Sequence, residues 1–431
     1  MHMRPFQIIA LVIFAVLAGG GLYLFATFKG ISGSKSLGEV TIWGTLPAGA
    51  MQTTLDDLKR SQQQYAKVIY QERSPVTFDR DFSDALASGS GPDLVVISQE
   101  QLLANQNKLQ LIPFSSIPER TYRDSYVSIC ELFLTKDGTY GIPFVVDPLV
   151  LYYNRARLST VGYAGPPSTW EEVLGQTSSL TQKNAGVITK SAIALGTYEN
   201  IPNARAILSL LLLQSGTAIT QNSTSGLTSV LRKGETVSGV APAESAVNFY
   251  TQFADPAKVV YTWNRALPSA LTDFMSGDSA LYIGYASEYP FMKGANPNLD
   301  FDITAIPSPQ TASGAVDYAR AYVFSIPRNA KNPSASYQVA SALASASQVP
   351  VFSKAASMAP ALRSLVNSRT DDINATVYYP LALIAKGWLS PASAVTDQIF
   401  ADMINTVISG RGTVTQAVKN ADDALVSALG R

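Results

Sequence analysis

The pattern of apolar and polar positions divides the chain into three kinds of stretch. Residues 8–28 are apolar and uncharged throughout. Residues 31–38 (ISGSKSLG) are small and polar and read as a Gly/Ser linker. From Glu39 onward, strand-like and helix-like stretches alternate. Glu39–Trp43 is a short β-branched run, and Asp93–Ile97 is a continuous apolar run after Gly89-Ser90-Gly91-Pro92, the pattern of a parallel strand buried on both faces. Leu55, Leu58, Tyr65 and Val68 recur at roughly helical spacing between them. Thr139–Pro143 and Leu149–Tyr153 are predicted as two strands around an interruption at Val146-Asp147-Pro148. Helices are predicted from Thr169-Trp170-Glu171-Glu172 and over Asn203–Gln214, with further strands at Ser279–Gly284 and Phe301–Ile306. From Ser334 the chain is mainly helical. This alternation predicts α/β lobes with mostly parallel sheets.

As a helix, residues 8–28 span about 31 Å, which matches a bilayer core of roughly 30 Å. The segment therefore predicts one N-terminal transmembrane helix, with residues 1–30 serving as a membrane anchor or uncleaved signal. No clear A-x-A-like cleavage site follows it. Leu17-Ala18-Gly19-Gly20 resembles a lipoprotein box, but Gly20 stands where the lipidated cysteine belongs. Lys29 and Lys35 offset Arg4, so flanking charge does not set the orientation.

Charge narrows the function. Only 15% of residues are charged, against about 25% in an average soluble protein, and 32 basic residues balance 32 acidic ones. A nucleic-acid partner or a polybasic attachment to anionic lipid needs a basic excess that is missing here. The lone histidine, His2, lies at the extreme N-terminus, so Ser-His-Asp and Cys-His catalysis and histidine-based metal sites are excluded from the body. The lone cysteine, Cys130, permits no intramolecular disulfide and reads as a buried small hydrophobe. The chain has no P-loop and no EF-hand run, so neither cofactor nor metal is expected.

An ordered set of segments carries a resemblance. It begins with a first strand ending in Trp43 and with Gly91-Pro92-Asp93-Leu94-Val95-Val96. Tyr140-Gly141-Ile142-Pro143-Phe144-Val145-Val146-Asp147 then runs into Leu151-Tyr152-Tyr153-Asn154-Arg155. Pro166-Pro167-Ser168-Thr169-Trp170-Glu171-Glu172-Val173, Phe274-Met275-Ser276-Gly277-Asp278, Ile306-Pro307-Ser308-Pro309 and Val407-Ile408-Ser409-Gly410-Arg411-Gly412 follow. From about Glu39 to Leu429 the chain resembles the type II extracellular solute-binding proteins of ABC importers, the maltose-binding-protein-like group. Two departures are the missing lipobox cysteine and the lack of tryptophan around Tyr285–Tyr289. The resemblance implies a two-lobed periplasmic-binding-protein-like fold with hinge crossovers. It places residues 39–145 and 320–357 in lobe 1, and 149–317 and 361–431 in lobe 2. It also implies a solute cleft between the lobes, an ABC permease as partner, and an extracytoplasmic domain tethered to the cell membrane.

Within that frame Asp147 leads the candidates, since a carboxylate at the crossover can accept hydrogen bonds from vicinal hydroxyls. Trp43, Thr45 and Leu46 close the first strand, where an indole offers sugar C–H surfaces a stacking face. Ser98 and Gln99 end the second strand. In the other lobe Tyr198, Glu199, Asn200 and Asn203 follow a strand at Ala192–Leu195, and Tyr285, Ser287, Glu288 and Tyr289 follow Leu281–Gly284. Trp263 and Trp388 are further stacking candidates, while Trp170 reads as structural. Tyrosine-rich and histidine-free composition suits a neutral polyhydroxylated solute, a sugar before a peptide or polyamine. Basic residues do not concentrate among these positions, which disfavours a highly anionic ligand. Two alternatives stand beside the importer. One is a ligand sensor for a membrane receptor. The other is a glycoside hydrolase pairing Asp147 with Glu199 or Glu288, which requires two carboxylates about 5–9.5 Å apart.

Overall fold

The computed structural model describes residues 36–223, 226–234, 239–310 and 314–430. The expected N-terminal anchor lies outside the described residues. Among those described, no helix is long and apolar enough to cross a membrane.

Two α/β lobes share one long strand. We label the strands β1 (Val40–Gly44), β2 (Val68–Glu72), β3 (Leu94–Ser98), β4 (Ile142–Asn154), β5 (Gln182–Asn184), β6 (Val187–Ile193), β7 (Ser279–Tyr285), β8 (Phe301–Thr304), β9 (Asp317–Ser325), β10 (Ala359–Pro360) and β11 (Ala385–Lys386). Their order is β2-β1-β3-β9-β4-β7-β6-β5, with β8 and β10 also on β4 and β11 on β9. The N-terminal half of β4 pairs with β9, from Ile142↔Phe324 to Pro148↔Ala319. Its C-terminal half pairs with β7, from Leu149↔Tyr285 to Tyr153↔Leu281.

The expected break at Val146-Asp147-Pro148 is therefore absent, and β4 runs unbroken through it. Proline lacks an N–H and disrupts an ordinary ladder. Pro148 stands where β4 exchanges one partner for the other, a point at which a donor is least missed. The expectation of mostly parallel sheets is corrected as well. Among these strands, parallel pairing is confined to β1–β2, β1–β3, β7–β6 and the short β9–β11 contact. The crossover strands β4 and β9 run antiparallel to each other, and β9 is antiparallel to β3, because β9 carries the chain back toward the first lobe.

Other expectations hold with small shifts. β1, β3, β7 and β8 fall on the predicted runs, and helices occupy Trp170–Leu180 and Ala204–Gln214. The first of these starts with a capping box: Glu172 N–H donates to Thr169 Oγ1 at 3.2 Å, and the Glu172 carboxylate accepts from the Thr169 N–H. Trp170 packs inward as predicted, and its ring N–H donates to Gln214 Oε1 at 2.7 Å. One face of the first lobe is an apolar cluster of Ile42, Leu94, Val96, Phe144, Phe324, Leu55 and Phe352. The Phe144 ring touches Phe324 and Phe352 at 4.7 and 4.8 Å between centroids. The opposite face, through Val95, Ile97 and Val146, belongs to a larger cluster that extends through the second lobe. Fully burying such side chains contributes about 1.5–3 kcal/mol each, so both lobes hold substantial cores.

Candidate functional site

The switch of partners along β4 places Asp147 at the junction of the lobes, directly opposite Arg320 in the β4–β9 ladder. Asp147 is 2% exposed. Its Oδ1 accepts the Ser287 N–H at 3.1 Å and its Oδ2 accepts the Ser287 hydroxyl at 2.6 Å. Burial pushes the carboxyl up to about 7, against the opposing pull of the two Ser287 bonds and Arg320. The turn after β7 continues with Glu288, which accepts from Tyr282 Oη at 2.6 Å, Asn203 Nδ2 at 2.7 Å and the Tyr285 N–H at 2.8 Å. Burial raises that carboxyl too.

A second centre lies on the other side of Arg320. Its guanidinium sits 4.3 Å from the Tyr285 ring centroid, and its Nε donates to Glu100 Oε2 at 3.1 Å. Glu100, 4% exposed, also accepts from Tyr318 Oη and from Arg205 Nη2, both at 2.5 Å. Burial pulls this carboxyl upward, but the Arg205 and Arg320 charges outweigh it and hold the group below its ordinary range. The Tyr285 hydroxyl is buried and has no hydrogen-bond partner. The junction thus offers guanidinium donors, carboxylate acceptors and aromatic rings within one cluster.

Of the candidate residues, Asp147, Tyr285 and Ser287 meet in this cluster, and Asn203 braces it through Tyr282 and Glu288. Ser98 and Gln99 stand next to Glu100, but their polar groups are in use. The Ser98 N–H donates to Gln101 Oε1 at the start of the helix over Gln99–Asn105. Gln99 is fully buried; its amide donates to Ala319 O at 3.0 Å and accepts from Ala321 N at 2.8 Å. It continues the ladder along β9 beyond the end of β3.

The remaining candidates stand elsewhere. Trp43 is 8% exposed, with the Arg73 guanidinium 3.7 Å from its ring, so that face is already covered; Thr45 is half-buried in the adjoining turn. Glu199 lies at the surface, accepting from Asn405 Nδ2 at 2.6 Å. Asn200 ties a loop together, donating to Asn264 O and Leu267 O and accepting from Trp263 Nε1. Trp263 is fully buried and serves the core instead of offering an open stacking face. Trp388 is 4% exposed, stacked on Phe400 and bonded to Ser209 Oγ. One edge of it borders a cavity of about 410 Å³ between Ser128–Leu132 and Leu213–Asn222. Tryptophan's large apolar surface drew these residues into the core.

Glu100, Arg205, Tyr318 and Arg320 were missing from the candidates. Two arginines meet at Glu100, beside candidate positions that themselves include no basic residue. The available signal was a period of two: Tyr318, Arg320 and Tyr322 put large polar-tipped residues on one face of an otherwise apolar strand.

Residues 64–379 match the family described as bacterial extracellular solute-binding protein. The chain belongs to that family. Its members bind solutes and are not enzymes, which removes the glycoside-hydrolase alternative. Asp147 and Glu288 are accordingly fixed by hydrogen bonds within the protein, and Glu199 stands at the surface. Among curated proteins none matches the sequence. Solved structures of solute-binding proteins share the fold. The GacH receptor of Streptomyces glaucescens, solved unliganded and with acarbose, matches with a TM-score of 0.71 at 17% identity, over 91% of this chain and 98% of that one. The cyclic α-maltosyl-1,6-maltose binding protein of Arthrobacter globiformis gives 0.74 at 16% identity, over 91% and 99%. An ABC transporter solute-binding protein of Thermotoga lettingae, bound with α-D-tagatose, gives 0.70 at 18%, over 91% and 99%.

Proposed function

We propose that this solute-binding protein captures a small polar solute, a carbohydrate before other classes, between its lobes and delivers it to an ABC permease. Residues 8–28 tether it to the membrane, with the binding domain outside the cytoplasm. Lobe 1 comprises residues 39–145 and 320–357, and lobe 2 comprises 149–317 and 361–431. The observation that carries the reading is the cluster at the partner switch of β4. Asp147, Ser287, Tyr285 and Arg320 gather polar and aromatic groups where the lobes meet, and the Tyr285 hydroxyl is left without a partner. A buried hydroxyl without a partner is costly, and a solute oxygen would satisfy it. The sugar-binding neighbours of this fold support the carbohydrate class.

Thermal melting of the full chain against mono- and oligosaccharides, amino acids, peptides and polyamines tests this. Solute at about 100 times its Kd adds roughly 2.7 kcal/mol, which shifts the melt by degrees. A shift with one sugar class, lost in Asp147→Ala, is the expected result. A response confined to peptides or polyamines, or none across the panel, overturns the carbohydrate reading.

A further inference from the structure

The cavity of about 410 Å³ beside Trp388 shares no lining residue with the cluster around Asp147 and Glu100. On one side the short helix over Ser128–Phe133 offers Ile129 and Leu132. Facing it is Leu213, in the last turn of the helix over Ala204–Gln214, followed by a hairpin that pairs Asn222 with Leu227. The stretch from Ala385 to Leu389 completes the lining. Gly387 packs it closely against the short helix, since a Cβ at that position would stand 3.1 Å from Ile129 Cδ1 and 3.2 Å from Leu132 Cδ1. The size falls within the range of small-molecule sites, about 300–1,000 Å³.

Donors without acceptors gather on this last stretch. Lys386 is the only ionisable residue on the lining; it is exposed, and no carboxylate pairs with it among the described residues. The backbone N–H groups of Trp388 and Leu389 likewise find no acceptor among the described residues, although Trp388 is buried. Unpaired backbone donors at a buried position are uncommon and call for an acceptor. The Asp317 carboxyl, whose residue pairs with Ala385 in the β9–β11 ladder, does not oppose an anion, because burial raises its pKa well above the ordinary value and keeps it uncharged.

We propose that this cavity is a second binding site, for a small carboxylate with an apolar body. The carboxylate meets Lys386 and the free amides of Trp388 and Leu389, and the body packs against Ile129, Leu132 and Leu213. A neutral apolar molecule would leave the donors unanswered, and an inorganic anion would leave the apolar walls wet. An amphipathic anion answers both. The site makes no use of the Asp147 cluster, so it stands or falls apart from the proposed solute.

The test is equilibrium dialysis of the full chain in lipid nanodiscs, with empty nanodiscs as the blank. The probes are phenylacetate, cyclohexylacetate and indole-3-acetate, each beside its neutral amide. At least one acid should bind at one molecule per chain and about tenfold more tightly than its amide, the size of a hydrogen bond to a charged group. Lys386→Gln should narrow that preference to about threefold or less. Leu132→Trp, which fills the cavity, should abolish binding of acid and amide alike. Leu227→Trp blocks the cavity from the facing side if Leu132→Trp folds poorly. Failure of all three acids to bind, equal binding of acids and amides, or binding unchanged in Lys386→Gln and in the filled variants would overturn the site.

Discussion

Asp147 and Glu100 meet at the junction of the lobes under nearly equal burial, yet they are held in opposite ways. Asp147 is surrounded by neutral donors, the Ser287 amide and hydroxyl, with Arg320 contributing only at a distance. Glu100 touches two guanidinium groups. The first carboxyl is driven up to about 7 by burial and the second is held below its ordinary range despite burial. Two good neutral hydrogen bonds do not offset the loss of water around a full charge, whereas two opposite charges do. Glu100 is therefore a fixed anion, and Asp147 is a group whose charge depends on conditions near neutrality.

The sharpest way to break this contrast is to remove the fixed anion. Glu100→Ala leaves Arg205 and Arg320 buried without their shared partner and should cost about 3–5 kcal/mol in urea unfolding. A loss under 1 kcal/mol would mean that the arginines find other partners and the pair is expendable.

The pH dependence of Asp147 comes next. A carboxyl whose folded pKa exceeds its unfolded one adds stability that is fully present below the unfolded value. That contribution is lost as pH rises through the folded value. From the ordinary value of 3.8 to about 7, the loss amounts to roughly 4 kcal/mol. Asp147→Asn should lack it, so the variant's melting temperature relative to the parent should climb between about pH 4 and pH 7. Parallel profiles would show that Asp147 titrates normally. Glu100 works in the other direction, because its contribution is present above the unfolded pKa and lost on acidification.

Ser287→Ala sharpens the same point on a smaller scale. Removing one hydroxyl from Asp147 should cost about 1–2 kcal/mol at pH 8, where the carboxylate is charged, and less at pH 5. Equal costs at both values would uncouple Ser287 from the ionised form. The smallest effect belongs to the surface: Arg265→Ala, which breaks the pair with exposed Glu199, should change stability by less than about 1 kcal/mol.

Much of the fold could be read from local signals. Thr169-Trp170-Glu171-Glu172 announces a helix through chemistry confined to four residues, and the apolar run after Gly91-Pro92 announces β3. The continuity of β4 could not be read this way, because what makes Pro148 harmless is a change of partner to strands more than a hundred residues further along. The site divided along similar lines. Tyr285 and Ser287 follow from a strand end, where solutes bind in α/β sheets, and Asp147 from the expected crossover between lobes. Arg320 lies inside a strand and Arg205 inside a helix, positions where charge ordinarily points to solvent. Arg320 meets Glu100 only because β9 lies beside β3, and Arg205 only because its helix packs on β9. Trp263 and Trp388 were attractive for their chemistry, but chemistry alone does not distinguish an exposed ring from a buried one.

The return of the chain through β9 also bears on how the protein is made. β3 is complete once Ser98 has been synthesised, yet its neighbour on one side is the stretch from Tyr322 to Ser325. Gln99 likewise waits for Ala319 and Ala321, some 220 positions later. At translation rates of about 5–20 residues per second, that edge stays unpaired for roughly 10–45 s. An open strand as apolar as Leu94-Val95-Val96-Ile97 is a template for pairing with the wrong chain. A nascent molecule must therefore be shielded, or kept from collapsing, until β9 has emerged, about three quarters of the way along the chain, and neither lobe can be expected to fold from a fragment that ends before β9.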